Sequence, residues 1–403
     1  MNPVKPRLVI FVMLAVSAAR GAAAQYVPMD LGTLGGTTSF AVAVNDSGQA
    51  VGTSLIAGNA ETHAFSWTAA GGMVDLGTLG GTESFAVAVN GSGQVVGYIF
   101  PAGNSTVAHA FSWTAGGGMI DLGTLGGIYS RALGVNDSGQ VVGESSLAGE
   151  AEIHAFSWTA AAGMVDLGTL GGPLSTAQAV NASGQVVGSS NLANHAAVVP
   201  ADLIVPAAHA FLWTATGGMV DLGNPVDRDS FALHVSNSGH VVGYVVSDLE
   251  GVPDRTFSWT LSGGRVDVGN LGSSSIPHGV NDSGQVVGES GTVNAVVVHA
   301  FSWTAAGGIV DLGTFGGTVS RANAVNSMGQ VVGNAFTAGD AAFHAFSWTA
   351  DGGMVGLPSL QTASVAARPR LSTTAVRWSG ERRGTECRAR CDVGPASVGP
   401  VGS

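Results

Sequence analysis

The chain reads as an all-β protein: a β-propeller of seven blades, each of four antiparallel strands, followed by a disordered C-terminal tail. Two observations predict this. The Trp of a His-Ala-Phe-Ser-Trp-Thr word recurs at Trp67, Trp113, Trp158, Trp213, Trp259, Trp303 and Trp348, at intervals of 46, 45, 55, 46, 44 and 45 residues, and a fixed period of this size marks an array of one supersecondary unit. Each unit also resolves into four short stretches of alternating or β-branched residues bounded by Gly- and Asn-rich turns, and four strands in roughly 45 residues make a propeller blade. A β-solenoid is the runner-up, with coils of usually shorter period, and a sandwich leaves the near-equal units unexplained.

In chain order, residues 1–24 read as an export signal. Lys5 and Arg7 precede an apolar run from Leu8 to Ala19 that is too short to span a bilayer, and Ala22-Ala23-Ala24 offers a cleavage site before Gln25. Tyr26 to Leu31 is an isolated outer strand, expected to complete the last blade and so join the two ends of the ring. The first strand of a unit is Ser39 to Asn45, whose alternation puts Phe40, Val42 and Val44 on one face and Ser39, Ala41 and Ala43 on the other. An Asn-x-Ser-Gly hairpin follows, as in Asn45–Gly48, Asn90–Gly93, Asn136–Gly139, Asn181–Gly184 and Asn281–Gly284, because Asn and Gly tolerate left-handed backbone. Gln-Val-Val-Gly is the second strand, His-Ala-Phe-Ser-Trp-Thr the third and Gly-Met-Ile-Asp-Leu-Gly the fourth. Large residues alternating with small ones let Phe and Trp of one blade sit over Ala and Ser of the next, and the Trp row is expected between blades.

The fourth-strand word occurs eight times. Asp30, Asp75, Asp121, Asp166, Asp221, Asp267 and Asp311 mark seven copies, and Met354 to Leu360 is a degraded eighth, one more than seven blades need. Two units depart from the pattern. The fourth has a connection about ten residues longer, from Ser189 to Ala208 with Pro200 and Pro206, and the fifth replaces its His by Arg255. Variable length on one rim makes that rim the expected recognition face. The domain reading is therefore a signal at 1–24, a repeat array at 25–360 and a tail at 361–403. The tail holds seven of the 15 basic residues and both cysteines, Cys387 and Cys391. It reads as a frameshifted remnant of a further repeat, the alternative being a genuine disordered basic tail.

Between Gln25 and Leu360 there are 24 acidic residues against five Arg and no Lys. Nucleic-acid affinity rests on basic residues neutralising phosphates, so nucleic acid is excluded as a partner. No later stretch reaches the roughly 20 apolar residues of a membrane span. The expected molecule is secreted and monomeric, with an extracellular glycan or protein as its partner.

At these words the chain resembles the bacterial HAF family of probable extracellular repeats, through the triplets at His63, His109, His154, His209, His299 and His344, over roughly residues 26–357. The resemblance implies an exported repeat protein and brings no activity and no catalytic residue with it.

The repeated polar residues have structural readings. Histidines at equivalent positions of different blades lie too far apart for the three or four ligands of one metal ion, and each is expected to be packed and hydrogen-bonded. Each Asp of the Asp-Leu-Gly word is expected to accept backbone N–H groups from its own turn. Asn45-Asp46-Ser47-Gly48 lacks the carboxylates of a calcium loop, since Asp46 becomes Gly91, Ala182, Asn237 and Ser327 elsewhere. The Asn-x-Ser triplets match a glycosylation pattern but already serve hairpins. No Ser-His-Asp or His-Glu-x-x-His set is recognisable. No catalytic, cofactor-binding or metal-binding residue is assigned, no cofactor is expected, and the ligand-binding residues are unknown. The expected function is a non-enzymatic binding or surface-interaction module. The alternative is a polysaccharide hydrolase or lyase whose acids, from distant blades, meet at the propeller mouth.

Overall fold

A computed structural model describes residues 26–102, 107–196, 206–223, 229–246, 254–293 and 297–359. The signal and the tail lie outside them. The described chain forms seven four-stranded antiparallel meanders in sequence order, blades 1 to 7, spanning 35–75, 83–121, 126–166, 171–221, 229–269, 272–313 and 316–356. It is a β-propeller. Among the described residues no helix is long and apolar enough to cross a membrane.

The core lies between blades. Where blades 3 and 4 meet, Val142, Ala155 and Leu167 of blade 3 pack against Ala177, Val186 and Phe211 of blade 4, with Trp213 and Met219 at the margin. The Phe of every unit, from Phe65 to Phe346, is essentially fully buried, whereas no Trp is: Trp67 and Trp303 keep 7% exposure and the others more. The Phe row is therefore the centre of each interface and the Trp row its edge, a shift from the expectation that the Trp fills it.

The first strand departs from simple alternation for a local reason. In blade 1, Ala41 pairs with Gly52 and Ala43 with Val51, so Val42 is an extra, bulged residue, and the same bulge recurs at equivalent positions along the chain. The bulge reverses the faces. Ala41 packs on the side towards Leu31 and Phe65, whereas Ala43 packs on the other side, against the cluster shared with blade 2. It also explains the Gly of Val-Val-Gly. A Cβ at Gly52, Gly97, Gly143, Gly188, Gly243, Gly288 or Gly333 would lie 1.9–2.1 Å from the carbonyl oxygen of the bulged strand. Only glycine fits beneath it.

The hairpin word ties blade to blade. Asn136 Oδ1 accepts the Gln140 N–H at 3.0 Å and its Nδ2 donates to the Asn181 carbonyl of the next blade at 2.9 Å. The same Nδ2 bond runs from Asn45 to Asn90, Asn90 to Asn136, Asn181 to Ser236 and Asn281 to Asn326. Blade 5 carries Ser236 instead, and there Ser238 Oγ donates to the Asp282 carbonyl. A second ladder runs from the third-strand N–H to a first-strand Ser Oγ of the next blade: Ala64 to Ser84, Ala110 to Ser130, Ala155 to Ser175, Ala210 to Ser230, Thr256 to Ser275 and Ala300 to Ser320.

Neither ladder runs from blade 7 to blade 1. Asn326 is exposed and its Nδ2 reaches only Gln330, and no bond joins Ala345 to Ser39. Val332 is half-buried, whereas the equivalent Val51, Val96, Val142, Val187, Val242 and Val287 are at 0% exposure. The N-terminal segment does not complete blade 7, which already owns a fourth strand, Gly353–Gly356, paired with Phe343–Thr349. Instead Leu31 packs on Ala50, Phe65 and Trp67 of blade 1, where a preceding blade would place its fourth-strand Leu, and Tyr26 OH accepts a bond from Gln330 of blade 7 at 2.8 Å. A single segment thus stands between the first and last blades, with one bridging residue, Met29, rather than the outer strand expected over Tyr26 to Leu31. The surplus eighth copy of the word is accounted for: seven copies serve as fourth strands, and Tyr26–Leu31 lies at the junction.

The long connection of the fourth unit is partly sheet. Val186–Ala196 and Pro206–Thr214 extend their pairing outward to Ala196 and Pro206, and its apex lies outside the described residues.

Candidate functional site at the channel mouth

The repeated His and Asp are brought together in pairs within blades 1 to 4 and blade 6, whereas blade 7 has Gly356 at the Asp position. His63 lies 2.9 Å from Asp75, His109 2.8 Å from Asp121, His154 2.9 Å from Asp166, His209 2.9 Å from Asp221 and His299 2.8 Å from Asp311, each through Nδ1 donating to the carboxylate. Arg255 takes over for the missing His and reaches Asp267 at 3.3 Å. The Asp also caps its own turn, as Asp166 does by accepting the Gly168 N–H at 2.7 Å. At Asp221, bonds from His209 and the Gly223 N–H lower the pKa against the opposing effect of burial. These pairs staple the third strand to the fourth. The His and Asp words serve the fold.

The residues that escape such an account lie along the channel. Bulge residues and their neighbours from successive first strands (Ala88, Leu133, Gly134, Gln178, Ala179, Leu233 and His234) line a cavity of about 370 Å³. His234 stands in its wall where other blades carry Ala or Gly. Burial and the nearby charge of His278 push its pKa down to about 4, so the imidazole is neutral at neutral pH. His278 is the bulge residue of blade 6; its Nδ1 donates to the Ala322 carbonyl at 3.0 Å, and its Nε2 lies 4.0 Å from Glu289 Oε1. The other oxygen of Glu289 accepts a charge-assisted bond from Arg321 Nε of blade 7.

Glu144, at the same position of blade 3, is held in a comparable way. Its Oε1 accepts the Tyr129 hydroxyl at 2.5 Å and its Oε2 the Thr176 hydroxyl of blade 4 at 2.8 Å. Burial and the adjacent Glu144 push the Tyr129 pKa well up, which keeps the phenol a proton donor. Arg131, the cross-strand partner of Glu144, lies with its guanidinium 4.4 Å over the Tyr98 ring, and its Nε is buried with no hydrogen-bond partner. Two carboxylates from blades three apart therefore stand at one level of the propeller, each beside an Arg.

Glu144, Glu289, His234, His278, Arg131 and Arg321 were not singled out by the sequence. The signal was there, as departures from the repeat at the two positions that flank Val-Val-Gly in the sheet, but it appears only when the seven copies are laid over one another in the bulged register. The variable rim was expected to hold all the specificity, and the channel rows vary as well.

No protein-family model and no curated relative matches the chain. Solved structures do. It is similar to the β-propeller domain of the Trilobed protease from Pyrococcus furiosus, described as having an open velcro topology, with 12% identity and a TM-score of 0.50 over 80% of this chain and 98% of that one. It is also similar to Porphyromonas gingivalis dipeptidyl peptidase 4, with 10% identity and a TM-score of 0.51 over 82% of this chain and 54% of that one, so it spans about half of that enzyme. At these identities the likeness shows the fold alone. Both neighbours nevertheless belong to proteases, and the expectation of a non-enzymatic binding module is corrected on that finding.

Proposed function

We propose that the chain is an extracellular carbohydrate-cleaving enzyme that hydrolyses a neutral polysaccharide at the channel mouth. The observation that carries this reading is Glu289 beside His278: one carboxylate oxygen is held by Arg321 of the following blade and the other lies 4.0 Å from His278 Nε2. Glycoside hydrolysis needs a base for water and a proton donor for the leaving oxygen at one scissile bond. A carboxylate beside a proton donor suits glycosidic cleavage; the hydroxyl–histidine contact of Ser238 Oγ with His240 Nδ1, at 2.8 Å, sits in a hairpin turn where the same hydroxyl also bonds the Asp282 carbonyl. Lyase chemistry on a uronate polymer is disfavoured by charge, because 24 acidic residues against five Arg over residues 25–360 repel a polyanion.

In this mechanism Glu289, held by Arg321, takes a proton from the attacking water. His278 Nε2 gives one to the leaving glycosidic oxygen. The C1–O bond breaks, the water oxygen adds at C1, and Glu289 and His278 recover their starting protonation by exchange with solvent. Neutral His234 in the channel wall offers a hydrogen-bond partner without adding charge. The N-terminal export signal and the His-Ala-Phe words support secretion and a place among the HAF-type repeats.

The test is turnover on neutral glycans and on aryl glycosides with good leaving groups. Glu289→Gln should abolish both activities. His278→Gln should lose roughly 100-fold or more on glycans while sparing the aryl glycosides, which need no acid. Equal turnover by the parent and both variants, or none by the parent on any glycan, overturns the reading.

A further inference from the structure

The wall of the channel cavity is of two kinds. Leu133, Val180 and Leu233 give it an apolar surface, Gln178 and His234 are its two polar side chains, and no Asp, Glu, Lys or Arg lines it. Gln178 is the bulge residue of blade 4, where blades 1 and 2 carry Val42 and Val87. His234 follows the bulge of blade 5, where blades 1, 2, 4 and 7 carry Ala. The fold requires neither polar residue, because the blades with Val or Ala at these places make the same strand pairing. Neither the Gln178 amide nor the His234 imidazole has a side-chain hydrogen bond among the described residues. A polar group on an apolar wall costs free energy until something bonds to it. Along the cavity the first strands pair only with the second strand of their own blade, so main-chain N–H and C=O groups on their other edge are open to it as well.

We infer that this cavity binds one neutral sugar unit, its C–H face on Leu133 and Leu233 and its hydroxyls on Gln178 and His234. This deepens the carbohydrate reading above and rests on it. The ligand is uncharged because the wall holds no counter-charge, and an ion taken out of water needs one. It carries hydroxyls because an amide and a neutral imidazole each offer both a donor and an acceptor, which is what a hydroxyl pairs with. It is small because about 370 Å³ is at the lower end of ligand pockets, which run from about 300 to 1,000 Å³. His234 is close enough to His278 for the charge of His278 to act on it, so a sugar held here stands beside the proton donor proposed for cleavage.

The experiment is a calorimetric titration of the full-length protein with glucose, galactose, mannose, xylose and N-acetylglucosamine, and with the charged analogues glucuronate, galacturonate and glucosamine. The same titrations are run on Gln178→Val, His234→Ala and the double variant. These changes restore residues that other blades carry at the same places, so the variants should fold. Val42→Ala, at the bulge of blade 1 and outside the cavity, is the control. At least one neutral sugar should bind, and the charged analogues at least tenfold more weakly. Each single variant should weaken that sugar roughly threefold to tenfold, the worth of one hydrogen bond, the double variant by about the product, and Val42→Ala not at all. No neutral sugar bound at millimolar concentration, charged analogues bound as tightly, or a double variant within twofold of the parent overturns the site. A sugar bound in the expected way by a protein that cuts no glycan would remove the hydrolase and keep the site. Cleavage that is lost in Glu289→Gln but proceeds with unchanged KM in the double variant would do the reverse.

Discussion

Replacing one hairpin Asn in the middle of the array and its counterpart at the end tests how the ring is joined. Asn136 donates from Nδ2 to the buried Asn181 carbonyl at 2.9 Å, while its Oδ1 accepts from Ser138 and Gln140. Asn136→Ala therefore removes the local cap, worth about 1 kcal/mol, and one of two bonds to the Asn181 carbonyl, which keeps the Gly184 N–H at 3.0 Å, for about 0.5–1.5 kcal/mol more. Asn326 keeps the same local bonds, to Met328 and Gln330, but reaches no neighbouring blade. Asn326→Ala should forfeit the local part alone, about 1 kcal/mol. The two variants should differ by about 0.5–1.5 kcal/mol, one inter-blade hydrogen bond, read as a shift in Tm or from urea unfolding at matched m-values. Equal losses at the two sites would mean that blade 7 docks on blade 1 as every other blade docks on its neighbour, and the junction through the N-terminal segment would be wrong.

Other perturbations follow from the same geometry. Gly143→Ala puts a Cβ 1.9 Å from the Arg131 carbonyl oxygen and should cost about 1–3 kcal/mol or more; Gly116→Ala, in open space, should be near neutral in the same melt. Phe211→Ala should lose about 3–5 kcal/mol and Trp213→Ala clearly less, because Trp213 is half-buried at the cluster margin; the reverse order in denaturant unfolding would return the Trp row to the core. His234, with its folded pKa lowered to about 4 from 6.5, binds its proton more readily in the unfolded chain. Its contribution to stability should be complete above about pH 6.5 and fall as pH drops towards 4. Unfolding midpoints followed across that window should slope less in His234→Gln, and parallel profiles would refute the assignment.

How much could be read beforehand depended on whether an interaction was local. The Asn of the hairpin, the Asp of its own turn and the alternating third strand are contacts within a few residues or one register, so composition and spacing were enough to place them. The bulge was hidden because Ser-Phe-Ala-Val-Ala-Val looks like unbroken alternation. Its only trace was the constant Gly opposite, whose reason is a carbonyl oxygen 2 Å from the missing Cβ, on a different strand. The pairing of each His with an Asp twelve residues on was within reach of sequence reasoning, but it required the register of two strands.

The sequence by itself determined the repeat, the four strands of each unit and the seven-fold count, because these rest on short-range propensity and on a pattern copied along the chain. Only the tertiary structure decided which residues meet across the ring. Glu289 finds Arg321 and His278 because three strands from two blades converge on the channel, and Tyr26 meets Gln330 because the array curves back on itself. Such contacts join positions whose separation along the chain carries no period. They arise from the closure of a curved stack, and no local signal encodes them.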